Sequence, residues 1–342
     1  MVNGRESGRS ASLDLSRFLA ALIVFLGHLI WFDQRFQNLQ KNSLLELIRT
    51  GDQSVLYFFT LSGFVLSMTT SRIDLKWLIA RFVRLMPVYL ICFIVPLISI
   101  KIMAPEEFDI YPTIGIWFGL FGIQSLIAKY YLAGANSPLW SLSVEFMLSI
   151  ALVLLTKLTT IRTKITIILA CEIINYVLFQ PVINGLSFFI IGIILHQLKG
   201  RKLFTRTDSR TWIYFSGSVV IFYWMLFPIT GLSLVVPRIV DIIGVTFTLI
   251  SFDQIRLHSK IENFCEFLGK RTYSLYAVHS PIIRFTSETF EKFCSGNSQL
   301  NNNIFFLSTS IFLVACFTEV LFQLVEKPSV KYAKKIRNPL KA

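Results

Sequence analysis

Several short stretches of this sequence set ionisable or hydroxylic side chains into otherwise apolar runs. In RFLAALIVFLGH, Arg17 and His28 are eleven positions apart, about three helical turns plus about 20°, so they share one face about 16 Å apart along the axis. RFVRLMP puts Arg81 and Arg84 three apart on one face, a spacing that can grip a phosphate bidentately. SPLWSLSVEF carries Trp140, Ser141 and Glu145, and RTYSLYAVHSP carries Tyr276 and His279. FFTLSGF carries Ser62 and Gly63, and VEKP carries Glu326. An imidazole with an unperturbed pKa of about 6.5 can take a proton from a poor nucleophile. A nearby carboxylate can orient that imidazole, and guanidinium groups can hold an anion.

Each group also has a structural reading. Arg17 can be a snorkelling anchor paired with Asp14, and His28 a polar residue satisfied by a neighbouring helix. Arg81 and Arg84 can be ordinary basic flanks, Glu145 a helix N-terminal acid favoured by the dipole, and Ser62 and Gly63 a point of close helix packing.

The elements that must position these groups are membrane helices. The chain has 342 residues, 54% of them hydrophobic and 15% charged, against about 25% charged in soluble domains. A span needs about 20 apolar residues. Ten stretches qualify: 15–32, 54–69, 85–103, 139–156, 163–180, 182–198, 211–228, 234–252, 271–287 and 304–326. An eleventh, 111–128, is settled by loop charge. If it does not cross and both termini are cytoplasmic, the inside segments collect most of the 33 Lys and Arg. The outside ones then hold only Arg35, Lys41, Arg49, Lys129, Arg238 and Lys292. If it crossed, every later basic loop would fall outside, so 111–128 is expected to be re-entrant or interfacial. The fold class is therefore an all-α polytopic bundle, with 1–342 as a single membrane domain.

The same topology accounts for the net charge of +13 without a nucleic-acid partner and leaves membrane lipid as the surrounding partner. The first apolar run is followed by WFDQRF rather than a small-residue cleavage site, so it is expected to be retained as a helix. Of the five cysteines, Cys92, Cys171 and Cys316 fall in spans, Cys265 faces the cytoplasm and Cys294 the outside, so no two share an oxidising loop and no disulfide is expected. The cysteines and the four His show no metal-ligand spacing, so no metal is expected. The topology places Arg17, Arg81 and Arg84 at the cytoplasmic side and His28 and Glu145 farther out, as suits an anionic reactant from the cytosol and a second reactant met nearer the outer surface.

The ordered set LDLSRFLAALIVFLGH, FFTLSGF, RFVRLMP, LWSLSVEF, FFIIGIILHQL, RTYSLYAVHSP and VEKP, spread over residues 13 to 328, resembles the acyltransferase 3 family of integral-membrane acyltransferases. The resemblance implies a ten-helix bundle in the cytoplasmic (inner) membrane. It would move an acyl group, usually acetyl, from cytosolic acyl-CoA to a hydroxyl of a surface carbohydrate or its lipid-linked precursor, such as O-antigen, capsule or exopolysaccharide. It gives His28 the catalytic role, Arg17 a hold on the donor, Arg81 and Arg84 the CoA phosphates, and Glu145 the acid of the Trp-Ser-Leu-Ser-x-Glu motif. Ser62 and Gly63 match the Ser-Gly-Phe motif and His279 the ninth-helix histidine, with Asp14, Trp140, Ser141 and Tyr276 in support. Acetyl-CoA would be a donor substrate, with no cofactor bound permanently. Many relatives carry a fused periplasmic esterase-like domain. This chain shows none, so acceptor recognition is expected from the membrane domain and its outer loops. The competing class is a proton-coupled secondary transporter, or another membrane protein of polysaccharide export, in which His28, Glu145 and His279 would relay protons. The sequence shows no internal repeat of the kind that often marks transporters.

Overall fold

The computed structural model describes residues 10–31, 51–68, 73–103, 105–109, 113–126, 135–155, 160–178, 180–200, 235–255, 257–293 and 299–337. The expected seventh span, 211–228, and Cys294 lie outside these residues. Every regular element among them is helical: α1 (Ala11–Trp31), α2 (Gly51–Met68), α3 (Leu75–Met103), α4 (Pro105–Asp109), α5 (Thr113–Leu120), a 3-10 turn (Gln124–Leu126), α6 (Leu139–Leu155), α7 (Ile161–Leu178), α8 (Pro181–Gly200), α9 (Val235–Gln254), α10 (Ser259–Phe293), α11 (Gln299–Leu321), a π turn (Phe322–Glu326) and α12 (Lys327–Arg337).

Four described stretches are long and apolar enough to cross a bilayer: Ala11–Ile30, Leu75–Met103, Pro181–Lys199 and Asn303–Arg337. Two helices run well beyond their apolar segments. α3 starts ten residues before the expected 85 and α10 twelve before 271, because charged residues such as Lys76, Arg81 and Glu262 interrupt the apolar run without stopping the helix. Among the described residues of segment 111–128, α5 is eight residues, about 12 Å, and is followed by a break at Gly122, whose φ of 70° lies in the left-handed region, and by the 3-10 turn. That helix is too short to cross. Large apolar side chains stand exposed on α3 (Val95, Ile98), α7 (Ile173, Val177) and α11 (Phe305, Phe312), faces that a soluble protein would cover and a bilayer suits.

The chain divides into two compact units: residues 1–71, 160–173 and 186–272 in unit 1, and 72–159, 174–185 and 273–342 in unit 2. In unit 1, α1 and α9 both pack on α2 and on each other. α2 and α8 approach so closely that a Cβ at Gly63 would strike the Phe189 carbonyl, and one at Gly192 the Thr60 carbonyl. These reciprocal glycines explain FFTLSGF and the glycine of FFIIGIILHQL as one helix crossing. Gly269 likewise leaves room for the Asp14 side chain.

In unit 2, α3 packs against α5, α6, the π turn and α12. Gly119 of α5 lies against the Phe93 ring. α3 contains Pro87 and Pro96, and α10 contains Pro281. A proline has no N–H for the carbonyl four residues earlier, so Pro96 orphans Cys92 O and Pro281 orphans Ala277 O. Asn136 Nδ2 donates to both of these carbonyls, at 2.9 Å each. One buried amide thus meets two proline vacancies and ties α3 to α10.

Candidate active site

In unit 1 the chemistry-bearing helix is α1. His28 Nδ1 lies 2.8 Å from Val24 O. A carbonyl can only accept, so Nδ1 carries the hydrogen and Nε2 keeps its lone pair, the tautomer a general base needs. At the other end of the helix, Arg17 Nη1 lies 3.5 Å from Asp14 Oδ1, the pairing on which the anchor reading rests. Between them Tyr57 of α2 donates to Ser16 Oγ at 2.6 Å, and Ser16 donates to Leu13 O, which fixes the rotation of α1 against α2. Ser62 is half-buried on α2, one residue before the glycine contact.

Unit 2 holds the remaining groups in a polar network. Arg81 Nη2 donates to Glu145 Oε1 at 2.9 Å, and its Nε to Ser149 Oγ at 2.5 Å. Ser149 in turn donates to Glu145 O, one helical turn back, so α6 presents a carboxylate and a hydroxyl to one guanidinium. Arg84, one turn along α3, is exposed. Ser141 donates to Pro138 O at 2.9 Å and so uses its single hydrogen, which makes the Tyr276 hydroxyl the donor in their 2.7 Å contact. The Tyr276 ring meets the His279 ring edge-on with centroids 5.7 Å apart. His279 is fully buried, and its Nδ1 donates to Leu275 O at 3.3 Å, the same tautomer as at His28. Trp140 contributes its backbone carbonyl, which accepts from Ser125 Oγ at 2.7 Å. Glu326, buried in the π turn, accepts from the Ser274 N–H and hydroxyl at 3.2 and 2.6 Å. A π turn beside a buried acid often accompanies a functional site.

One expectation is corrected. Arg81 was expected at the cytoplasmic mouth and Glu145 at a different depth, farther out, yet the two side chains meet in one ion pair. α3 begins before its apolar stretch, so Arg81 is already about 9 Å into the helix, while α6 runs the opposite way in the expected topology and carries Glu145 inward. Arg81 and Arg84 therefore do not form a matched pair: one is paired and nearly buried, the other faces outward.

Two features escaped the sequence reading. Asn136 was signalled only indirectly, through the carbonyls that Pro96 and Pro281 leave open. In unit 1, Arg238 makes a two-pronged contact with Glu172, at 2.6 and 2.9 Å, over the Phe188 ring, and Ser187 also donates to Glu172. No local spacing announces a partnership across 66 positions.

The sequence pattern of the acyltransferase 3 family, an acyltransferase domain, matches residues 10–320, and the chain belongs to that family. Among curated proteins it is similar to the acyltransferase MdmB of Streptomyces mycarofaciens, with 33% identity over 147 residues. That match covers 40% of this chain and 37% of the relative, so the chain spans little more than a third of the relative's length. No solved structure matches.

Proposed function

We propose that this protein is a membrane O-acyltransferase that moves an acyl group, acetyl in the simplest case, from cytosolic acyl-CoA to a hydroxyl of a surface or lipid-linked carbohydrate. It would do so from a cytoplasmic membrane that it crosses ten times with both termini inside. The observation that carries the reading is the acyltransferase family match over residues 10–320, and the Nδ1–H bond from His28 to Val24 O gives that imidazole the tautomer of a general base.

In the proposed reaction the acceptor oxygen attacks the thioester carbonyl carbon while Nε2 takes its proton. Collapse of the tetrahedral adduct breaks the C–S bond and forms the ester. The departing thiolate takes the proton back from the imidazolium, so the histidine ends as it began. Arg84, exposed at the start of α3, and Arg17 are suited to the donor's phosphates. Arg81 and Glu145 hold each other, and their task in this reading is to keep α3 and α6 in register beside the donor. The exposed basic residues Lys327, Lys331 and Lys335 of α12, which packs on α3, add positive potential at the side where a cytosolic anion arrives. Family membership favours this reading over the transporter.

The test compares surface glycans, by mass spectrometry, from cells with the gene, without it, and with His28→Gln. Ester-linked acyl groups are expected only in the first. An unchanged acyl pattern in all three would end the proposal.

A further inference from the structure

Three side chains of unit 2, each only 2% exposed, carry polar atoms with no hydrogen-bond partner among the described residues: the Tyr89 hydroxyl, both amide atoms of Gln124, and Asn136 Oδ1. Buried polar groups are ordinarily satisfied, so three such side chains in unit 2 call for a cause. One stretch of α3 links them. Asn136 Nδ2 sits on Cys92 O. Tyr89 lies one turn before Cys92, its ring stacked on Phe93 at 6.1 Å. Gly122, two residues before Gln124, faces Met86, one turn before Tyr89. Met86 to Cys92 covers about 9 Å of helix. The neighbour of Gln124, Ser125, bonds Trp140 O in the first turn of α6, the helix that carries WSLSVE.

The chemistry of these atoms is selective. Asn136 cannot turn over, because that would point its oxygen at two carbonyls, so Oδ1 is a fixed acceptor. Gln124 offers two N–H donors and one acceptor, and Tyr89 one of each. None of the three is charged. A phosphate or carboxylate would want donors only, and an ammonium acceptors only. A hydroxyl both gives and takes a hydrogen bond, and so matches this mixed set. Orphaned atoms here also fit a site whose own architecture is otherwise complete, since the donors of Asn136 are already used on backbone.

We propose that Tyr89, Gln124 and Asn136 form a hydrogen-bonding subsite for the hydroxyl groups of a neutral polyhydroxylated acceptor such as a sugar ring. The proposal rests on the carbohydrate-acceptor reading above and adds these three residues to the groups that recognise that acceptor.

The test uses the full-length protein in detergent, acetyl-CoA as donor, and the de-O-acylated surface-glycan fraction of the source cell as acceptor, with ester formation and melting temperature both followed. Tyr89→Phe and Gln124→Leu are expected to raise the KM for the glycan about 10-fold, the loss of roughly one neutral hydrogen bond, and to leave the KM for acetyl-CoA unchanged. Should Gln124→Leu fail to fold, Tyr89→Phe, which removes one oxygen and no carbon, carries the test. A Gln124→Leu protein that melts higher with an unaltered glycan KM would mark an orphaned amide without a ligand and overturn the subsite. So would equal rises in both KM values. If the wild-type protein transfers nothing to the glycan fraction, the carbohydrate reading falls and the subsite with it, whereas equal transfer by wild type and variants removes the subsite alone.

Discussion

Units 1 and 2 solve the same problem, how to hold polar groups among apolar helices, in different ways. Unit 1 has close approach at Gly63 and Gly192, where two backbones meet, with cross-helix ties from Tyr57 to Ser16 and from Arg238 to Glu172, and its candidate base, His28, bonds Val24 O one turn back on its own helix. Unit 2 relies on cross-helix polar ties: Arg81 to Glu145 and Ser149, Ser141 to Tyr276, Ser274 to Glu326, and Asn136 to two carbonyls that prolines leave open. The difference separates roles. A base that must bind and release a proton benefits from a fixed tautomer. Groups that must hold helices in register benefit from several partners at once, since a half-satisfied buried network costs more than an apolar one.

That comparison can be broken or sharpened by experiment. The largest effect is expected at His28: His28→Ala should lower the acyl-transfer rate about 10²–10⁴-fold, the usual worth of a general base, with the melting temperature unchanged. A parallel loss of stability would mean that the imidazole is a structural tie like those of unit 2. Next, Gly63→Ala puts a methyl group into the Phe189 carbonyl, and overpacking against backbone should cost about 3 kcal/mol, read as lost membrane abundance and a lower melting temperature.

The ion pair follows. Arg81→Gln should destabilise by about 2 kcal/mol, less than for a fully buried pair because the Glu145 side chain is 24% exposed. Pairing it with Glu145→Gln should restore part of the loss in a double-mutant cycle. Arg84→Gln should leave stability alone and raise the acyl-CoA KM several-fold, so identical behaviour of the two arginines would revive the matched phosphate pair. Asn136→Leu leaves Cys92 O and Ala277 O without a donor and should cost about 2 kcal/mol by thermal melting. Smallest of all, Lys199→Met removes an ion pair to Asp253 from a side chain that is 45% exposed, and less than about 1 kcal/mol should be lost.

Much of the fold was legible before any coordinates. Apolar runs of membrane length locate helices because lipid admits little else, and α1, α6 and α8 fall where the runs predict. The helix ends were not legible, since a helix goes on past charged residues that interrupt its apolar run. Nor was the depth of Arg81. Its distance from the start of α3 depends on the six residues LKWLIA that come before it, ahead of the run that starts at 85.

By itself the sequence determined the helical class, the family, and the candidate residues for chemistry, because side-chain type and local spacing are carried by the chain. Tertiary structure decided which of those residues share a bond. Arg81 meets Glu145 across 64 positions, and Asn136 finds carbonyls 44 and 141 positions away. No local pattern encodes such pairings. They arise only when helix packing brings an orphaned carbonyl or a buried charge to the one side chain that can satisfy it, in a medium where leaving it unsatisfied is costly.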